Sequence, residues 1–184
     1  MIRSELSEIV GPDFVSVAES DKFIYSTDWA WMPQMWLDRG MQLRPPDYIV
    51  HPGSAEEISE ILEIANKYRI PVVPWGGGSG TQGGALPIFG GILIDTKRMD
   101  KIIAIDEKSL TVTAQAGINI AQLEWALNEK GLMLPHYAAS SNCATLGGAL
   151  APRGTGTLST KYGKAEDMVL SMQIVLPTGE IIRT

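Results

Sequence analysis

PVVPWGGGSGTQGGALP, residues 71–87, is the stretch on which the reading of this chain turns. Pro71-Val72-Val73-Pro74-Trp75 reads as a short buried strand, and a dense run of glycine takes over where it ends. Gly78-Ser79-Gly80-Thr81-Gln82-Gly83 fits the dinucleotide spacing G-x-G-x-x-G, and Asp100 lies at about the right separation for a ribose ligand. That motif works by opening a helix whose first amides and dipole meet a pyrophosphate. Here Gly84, Pro87, Gly90 and Gly91 forbid the helix, so a Rossmann site is rejected. A loop without a helix still holds phosphate when successive amides point into one concavity, and glycine reaches the positive φ values such a nest needs. Ser79 and Thr81 add hydroxyl donors. An ordinary surface loop is the plainer alternative.

A second window, ASSNCATLGGALAPRGTG at 139–156, repeats the theme with the neutral donors Ser140, Ser141, Asn142 and Thr145, the pair Gly147-Gly148, and one cation, Arg153. Tight packing of Gly147-Gly148 in a core turn would also account for that pair. Thirteen of the 19 glycines fall in the two regions: Gly76, Gly77, Gly78, Gly80, Gly83, Gly84, Gly90 and Gly91, then Gly147, Gly148, Gly154, Gly156 and Gly163. No charged side chain occurs from Ile70 to Ile94 or from Gly131 to Pro152, although the chain carries a net charge of −6. Two anion-accommodating loops suit an extended ligand with a pyrophosphate at its middle.

Outward from the loops, Tyr48-Ile49-Val50 and Ile92 to Asp95 read as strands. Ser54 and Glu57 form a capping box for a helix over 54–69, whose apolar face is Ile58, Ile61, Leu62, Ala65 and Tyr68. Ile102 to Asp106 and Leu110 to Ala114 form a hairpin. A second helix starts at the N-cap Asn119 and stops at Gly131. Met168 to Leu176 and Glu180 to Arg183 form a last hairpin around Pro177-Thr178-Gly179. The pattern predicts an α+β chain: a poorly periodic N-terminal arm over 1–45, with Trp29, Trp31 and Trp36 laid on another surface, then a domain over 46–184 with lobes at about 46–100 and about 101–184.

With 184 residues, 45% hydrophobic and 20% charged, the chain can bury a core and is not disordered. Cys143, the single cysteine, excludes a disulfide scaffold and fits a reducing, cytoplasmic setting. The mixed start MIRSELSEIVGPDF has no apolar core of signal-peptide length, so neither secretion nor a membrane span is expected, and the acidic balance argues against nucleic acid. His51 and His136 are too few for a metal cluster, so no metal is expected. His136 either faces the ligand of the second loop or is a satisfied loop histidine. Glu166-Asp167 caps or solvates a strand start.

PVVPWGGGSGTQGGALP, GGILIDTKRMDKIIAID, TVTAQAGI, LPHYAASSNCATLGGALAPRGTGTLSTKYG and DMVLSMQIVLPTGEIIRT, taken in order from Pro46 to Thr184, resemble the FAD-binding domain of the vanillyl-alcohol oxidase and p-cresol methylhydroxylase superfamily. The branch they look most like contains the glycolate oxidase D subunit, D-lactate dehydrogenase and alkyldihydroxyacetonephosphate synthase. The resemblance implies a two-lobed PCMH-type fold, distinct from Rossmann, that holds FAD. It assigns the pyrophosphate to Pro74, Trp75, Gly76, Gly77, Gly78, Ser79 and Gly80, with Gly83 and Gly84 shaping the turn. It assigns the pyrophosphate, ribityl chain and isoalloxazine to Pro135, Ser140, Ser141, Thr145, Gly147, Gly148, Arg153 and Gly154, with Tyr162-Gly163 as an aromatic-glycine pair. Trp75 stands where such members usually carry arginine. Ser79 stands where other members attach the flavin to histidine, and Cys143 lies near their flavin-linked cysteine. The expectation is therefore noncovalent FAD, with Cys143 a buried structural thiol.

The resemblance further implies oxidation of a 2-hydroxy acid such as glycolate or D-lactate by hydride transfer to FAD. The alternatives are an alkyldihydroxyacetonephosphate synthase-like transferase and an incomplete FAD-binding module without turnover; the FAD subunits of molybdenum hydroxylases share the fold but not these loop signatures. Members are well over twice as long. The C-terminal cap domain, with its substrate pocket and base, is expected to be absent or supplied by a partner subunit, which leaves the catalytic residues unknown, the chain inactive alone, and oligomerisation open.

Overall fold

A computed structural model describes all 184 residues. In chain order the helices and strands begin with α1 (Ile2–Val10), β1 (Val15–Ser16), α2 (Glu19–Ile24), α3 (Trp31–Asp38), β2 (Tyr48–Val50), α4 (Ala55–Tyr68), β3 (Val72–Trp75) and β4 (Ile92–Asp95). There follow β5 (Ile102–Asp106), β6 (Thr111–Ala114), α5 (Ile120–Asn128), α6 (Leu146–Leu150), α7 (Ser159–Tyr162), β7 (Gln173–Val175) and β8 (Ile181–Arg183). They form two compact units, Met1–Thr96 together with Met172–Thr184, and Lys97–Ser171. No helix is long and apolar enough to cross a membrane.

The first unit is built on a four-stranded sheet in the order β1-β2-β4-β3, with β2 and β3 parallel to β4 and β1 antiparallel to β2. Parallel strands are covered on both faces, so an uninterrupted apolar run suits the central one. Ile92, Leu93, Ile94 and Asp95 of β4 are all buried. Alternation along the strand sends Ile92 and Ile94 into a cluster with Leu6, Val10, Val15, Val50, Ile61 and Ala65, and Leu93 to the opposite face with Ile49 and Trp75. On β3 only Trp75 is buried, less than the sequence suggests, because β3 is an edge strand; Pro74, which has no ladder donor, is tolerated there.

Helix α4 forms as its sequence requires. The Ser54 hydroxyl accepts from the Glu57 amide at 3.2 Å, and the Glu57 carboxylate accepts from the Gly53 amide at 2.7 Å, one residue before the cap. Ile61 and Ala65 face the core, and the helix ends where Arg69 turns left-handed at φ 54. Truncating Ile61, fully buried, to alanine costs about 2–5 kcal/mol.

The N-terminal segment, expected as a poorly periodic arm laid on another surface, contributes to the core of the first unit. α1 inserts Leu6 and Val10 into the main core, and Ile2, Leu6, Ile9 and Val10 are the helical spacing that carries it. The last hairpin, β7 with β8, also belongs to the first unit, where its sequence position suggested the second lobe. Ser59 of α4 donates to the Gly179 carbonyl at 2.5 Å and Asn66 to the Pro177 carbonyl at 2.8 Å. The division expected near residue 100 lies between Thr96 and Lys97.

In the second unit, the β5–β6 hairpin turns on Asp106, whose carboxylate accepts from the Lys108 and Ser109 amides at 2.9 and 3.2 Å. Asn119 caps α5 by accepting from the amides of Ala121 and Gln122. The helix stops at Asn128 with Glu129 as its C-cap; Gly131 lies two residues further on, at φ +69. Ile118, Leu123 and Leu127 make one small core, and Ile120, Ala144 and Ala149 another.

Candidate functional site

Two parallel neighbours, β3 and β4, are joined by residues 76–91 without any helix, as the glycine and proline content dictates. At the exit of β3 the amides of Gly77, Gly78, Ser79 and Gly80 donate to no acceptor in the protein. Unpaired successive amides around a left-handed residue are the ingredients of an anion nest, and Gly78 has φ +64. A Cβ on Gly78 would overlap the Trp75 indole, reaching 3.0 Å from Cη2, so the loop folds directly over that ring. Trp75 is buried as the floor, Gly80 and Gly84 lie exposed, Gly83 turns at φ +75 against Leu86, and Pro74 is exposed on the edge strand. The far end of the loop is as constrained. Gly91 has φ +81, and a Cβ there would overlap the Pro71 carbonyl oxygen.

The floor has a support that the sequence does not show. Asp95, fully buried at the end of β4 opposite Trp75, accepts from the Tyr25 hydroxyl at 2.5 Å, and His51 Nδ1 lies 3.7 Å from the same carboxylate oxygen. The Tyr25 ring meets Trp75 edge to face at 5.1 Å. Burial, then the hydrogen bond and charge of Asp95, push the Tyr25 phenol far above its ordinary pKa. Trp29 also belongs to this region: its amide donates to the Gly78 carbonyl at 3.0 Å, which anchors the segment between α2 and α3 to the loop.

In the second unit, several residues expected to offer donors are engaged within the fold. The Ser141 hydroxyl is buried, donating to the Ala138 carbonyl at 2.7 Å and accepting from the Ala138 amide at 3.1 Å. Thr145, 1% exposed, caps α6 by accepting from the Gly148 amide at 3.2 Å. The amides of Leu146 and Gly147 donate to the carbonyls of Ile118 and Ala116 at 2.9 and 2.7 Å. Gly147 lies where a Cβ would come within 2.9 Å of the Ala116 Cβ, and Gly154 where it would come within 2.9 Å of the Ala149 carbonyl oxygen. Close packing is thus the structural reason for both glycines. The reading of Ser141 as a free donor is corrected accordingly, while the Thr145 hydroxyl accepts in its cap and is buried.

The Ser140 hydroxyl and the Asn142 side chain keep no internal partner. Arg153, at φ 55, is exposed with its Nε 3.6 Å from Glu166, and Glu166 also holds Lys164 at 2.7 Å. Asp167 caps the turn after Gly163 through the Lys164 amide at 2.7 Å, so Glu166 and Asp167 serve a short helical turn and not a strand. Tyr162 is partly exposed, with the Lys161 ammonium 4.7 Å from its ring, and Pro135 is partly buried. His136 is buried with its Nδ1 unpartnered, so it is not a satisfied loop histidine, and burial lowers its pKa. Cys143 is exposed, correcting the expectation of a buried thiol; its Sγ lies 3.3 Å from the Ser140 carbonyl.

A family model described as an FAD binding domain matches residues 46–184. Glycolate oxidase subunit GlcD of Bacillus subtilis (strain 168) is 34% identical over 183 residues, which are 100% of this chain and 37% of that protein. The mitochondrial cytochrome D-lactate dehydrogenase of Arabidopsis thaliana is 37% identical over 139 residues, 76% of this chain and 24% of that one. Among solved structures, an alkyldihydroxyacetonephosphate synthase superposes with a TM-score of 0.89 at 33% identity, over 97% of this chain and 36% of its own. A p-cresol methylhydroxylase with substrate bound superposes with a TM-score of 0.84 at 25% identity, over 100% and 34%. The chain thus spans from about a quarter to little more than a third of the length of these relatives.

Proposed function

The chain belongs to the FAD binding domain family, and from that premise we propose that it is the cofactor-holding part of an enzyme that oxidises a 2-hydroxy acid of the glycolate or D-lactate class. The observation that carries the reading is the set of four unpartnered amides at Gly77, Gly78, Ser79 and Gly80, in a stretch with no carboxylate. Neutral amides stabilise a dianion by charge-assisted hydrogen bonds and need no lysine. These residues fit a pyrophosphate, and Pro74, Trp75, Gly83 and Gly84 shape the loop that presents them. In the second unit Ser140 and Arg153 are the groups proposed as cofactor contacts, while Ser141, Thr145, Gly147, Gly148 and Gly154 hold their loop in shape, and Pro135, Tyr162 and Gly163 flank it.

Bound flavin supplies a two-electron acceptor, and the protein supplies position, electrostatics and exclusion of water. In the proposed reaction the substrate's α-hydrogen leaves as hydride while a base takes the hydroxyl proton. The base and the substrate pocket are assigned to polypeptide corresponding to the relatives' remaining length. Ser79 and the exposed Cys143 carry no attachment in this reading, and FAD is noncovalent.

Titration of the chain with FAD tests the holder role, with saturable quenching of flavin fluorescence expected; its absence sinks the reading. Acid precipitation should release flavin to the supernatant, and flavin retained in the pellet refutes noncovalent binding. Dye reduction by hydroxy acids, once the remaining polypeptide is added, tests the oxidation. A second reading, an FAD-dependent carbon-oxygen exchange without net oxidation, draws support from the 0.89 TM-score to the alkyldihydroxyacetonephosphate synthase. It predicts no dye reduction.

A further inference from the structure

Resting on the holder reading, we propose that Asp28 and Trp29 form a subsite for the adenosine half of FAD, the indole stacking on the base and the carboxylate accepting a ribose hydroxyl. Nothing in the glycine motifs points to these residues. What points to them is their attachment to the first loop and the state of their side chains.

The backbone here is fixed on both sides. The Trp29 amide donates to the Gly78 carbonyl at 3.0 Å, and Asp28 Oδ1 accepts from the Ala30 amide at 2.9 Å. The Trp29 side chain makes no comparable commitment and is 73% exposed. An indole is one of the largest apolar surfaces a chain can bury, and leaving it in water on an anchored backbone is a disadvantage that a planar ligand removes. Stacking suits a nucleobase because every base presents a π-face.

The carboxylate is the second, independent observation. Asp28 Oδ2 is out of reach of water and has no hydrogen-bond donor, which is an unfavourable state for a charged oxygen. The side chain as a whole is only partly buried, and turning it outward releases the Ala30 amide and exchanges that bond for one from the ribose hydroxyl. A carboxylate repels the pyrophosphate and the carbonyl oxygens of the isoalloxazine, and it accepts from hydroxyls. Ribose beside a stacked base supplies that donor; an acidic side chain on a ribose hydroxyl is the same chemistry that dinucleotide sites use. The four amides at 77–80 take the anion, and the corner tied to Gly78 takes what adjoins it.

The test is competition binding on the full chain, with FAD titrated by flavin fluorescence and ADP and FMN added as competitors. Trp29→Ala should weaken FAD and ADP about tenfold and leave FMN unchanged, and Trp29→Phe should restore most of the loss. Asp28→Asn should weaken FAD and ADP by several-fold with FMN again unchanged. Thermal midpoints of the Trp29 variants should stay with the wild type, because the side chain is exposed. FAD affinity unaltered by both Trp29→Ala and Asp28→Asn overturns the subsite, as does an equal loss for FMN, which would put these residues on the flavin half. Failure of the wild-type chain to bind FAD is a different outcome, which overturns the holder reading itself.

Discussion

Gly78→Ala is the substitution that separates a shaped anion nest from a merely glycine-rich loop. At φ +64 an alanine is in the left-handed region, and its Cβ would overlap the Trp75 indole, lying 3.0 Å from Cη2 and 3.1 Å from Cε2. The ring cannot swing away freely, because Trp75 is buried and Tyr25 stands against it at 5.1 Å. The left-handed backbone costs about 1–2 kcal/mol and overpacking against a fixed ring about 1–3 kcal/mol, so the native loop is disfavoured by about 2–5 kcal/mol. The loop escapes by leaving that conformation, which breaks the array of amides while the sheet beneath survives. At about 1.4 kcal/mol per tenfold, FAD should bind about 30-fold more weakly or worse. The thermal midpoint should move only a few degrees. The assay is flavin fluorescence titration across a double-mutant cycle with Trp75→Leu, which removes the ring that the new methyl meets. The cavity left by the leucine cancels in the cycle, and a coupling of about 1–3 kcal/mol should remain. Wild-type affinity in Gly78→Ala, or zero coupling with Trp75→Leu, refutes the reasoning.

Gly91→Ala should act on the fold and not on the ligand: at φ +81 its Cβ would overlap the Pro71 carbonyl oxygen, which is backbone and cannot yield, so a loss of about 3 kcal/mol or more and a midpoint lowered by roughly 6–12 °C are expected by calorimetry. Tyr25→Phe removes the hydroxyl that donates to buried Asp95 and should cost about 1–3 kcal/mol in urea unfolding near pH 8. Because the folded Tyr25 pKa is raised, its contribution is present below the ordinary phenol value of about 10 and is lost as pH rises beyond it; the alkaline decline of wild type should therefore be shallower in Tyr25→Phe, and parallel curves would contradict the assignment. His136 has the opposite sign. Its pKa is lowered by burial, so the unfolded chain takes up the proton first and stability falls as pH drops below about 6.5, a slope that His136→Gln should flatten in unfolding curves from pH 8 to 5.

Residues 54–69 were fully legible as sequence because every determinant is local: Ser54 and Glu57 cap the first turn, and Ile61 and Ala65 recur at helical spacing. The hairpin at Asp106 and the cap at Asn119 are local in the same way. The N-terminal segment was not, although Ile2, Leu6, Ile9 and Val10 carry a readable period. Its place depends on β2, α4 and β4, which lie dozens of residues away. The last hairpin joins the first unit through Ser59 and Asn66, partners more than a hundred residues upstream that no pattern in 172–184 announces.

Glycine density, the absence of charge from Ile70 to Ile94, and the order of the motifs were enough by themselves to indicate a loop that accommodates an anion, and to exclude a helix-capped one. Composition could not say which donors remain available. A hydroxyl or amide is free for a ligand only if no nearer acceptor claims it, and that is a matter of three-dimensional neighbours. The tertiary structure alone shows that Ser141, Leu146 and Gly147 are claimed, that Gly77 to Gly80 are not, and that Trp29 is fastened beside them with its ring left in water.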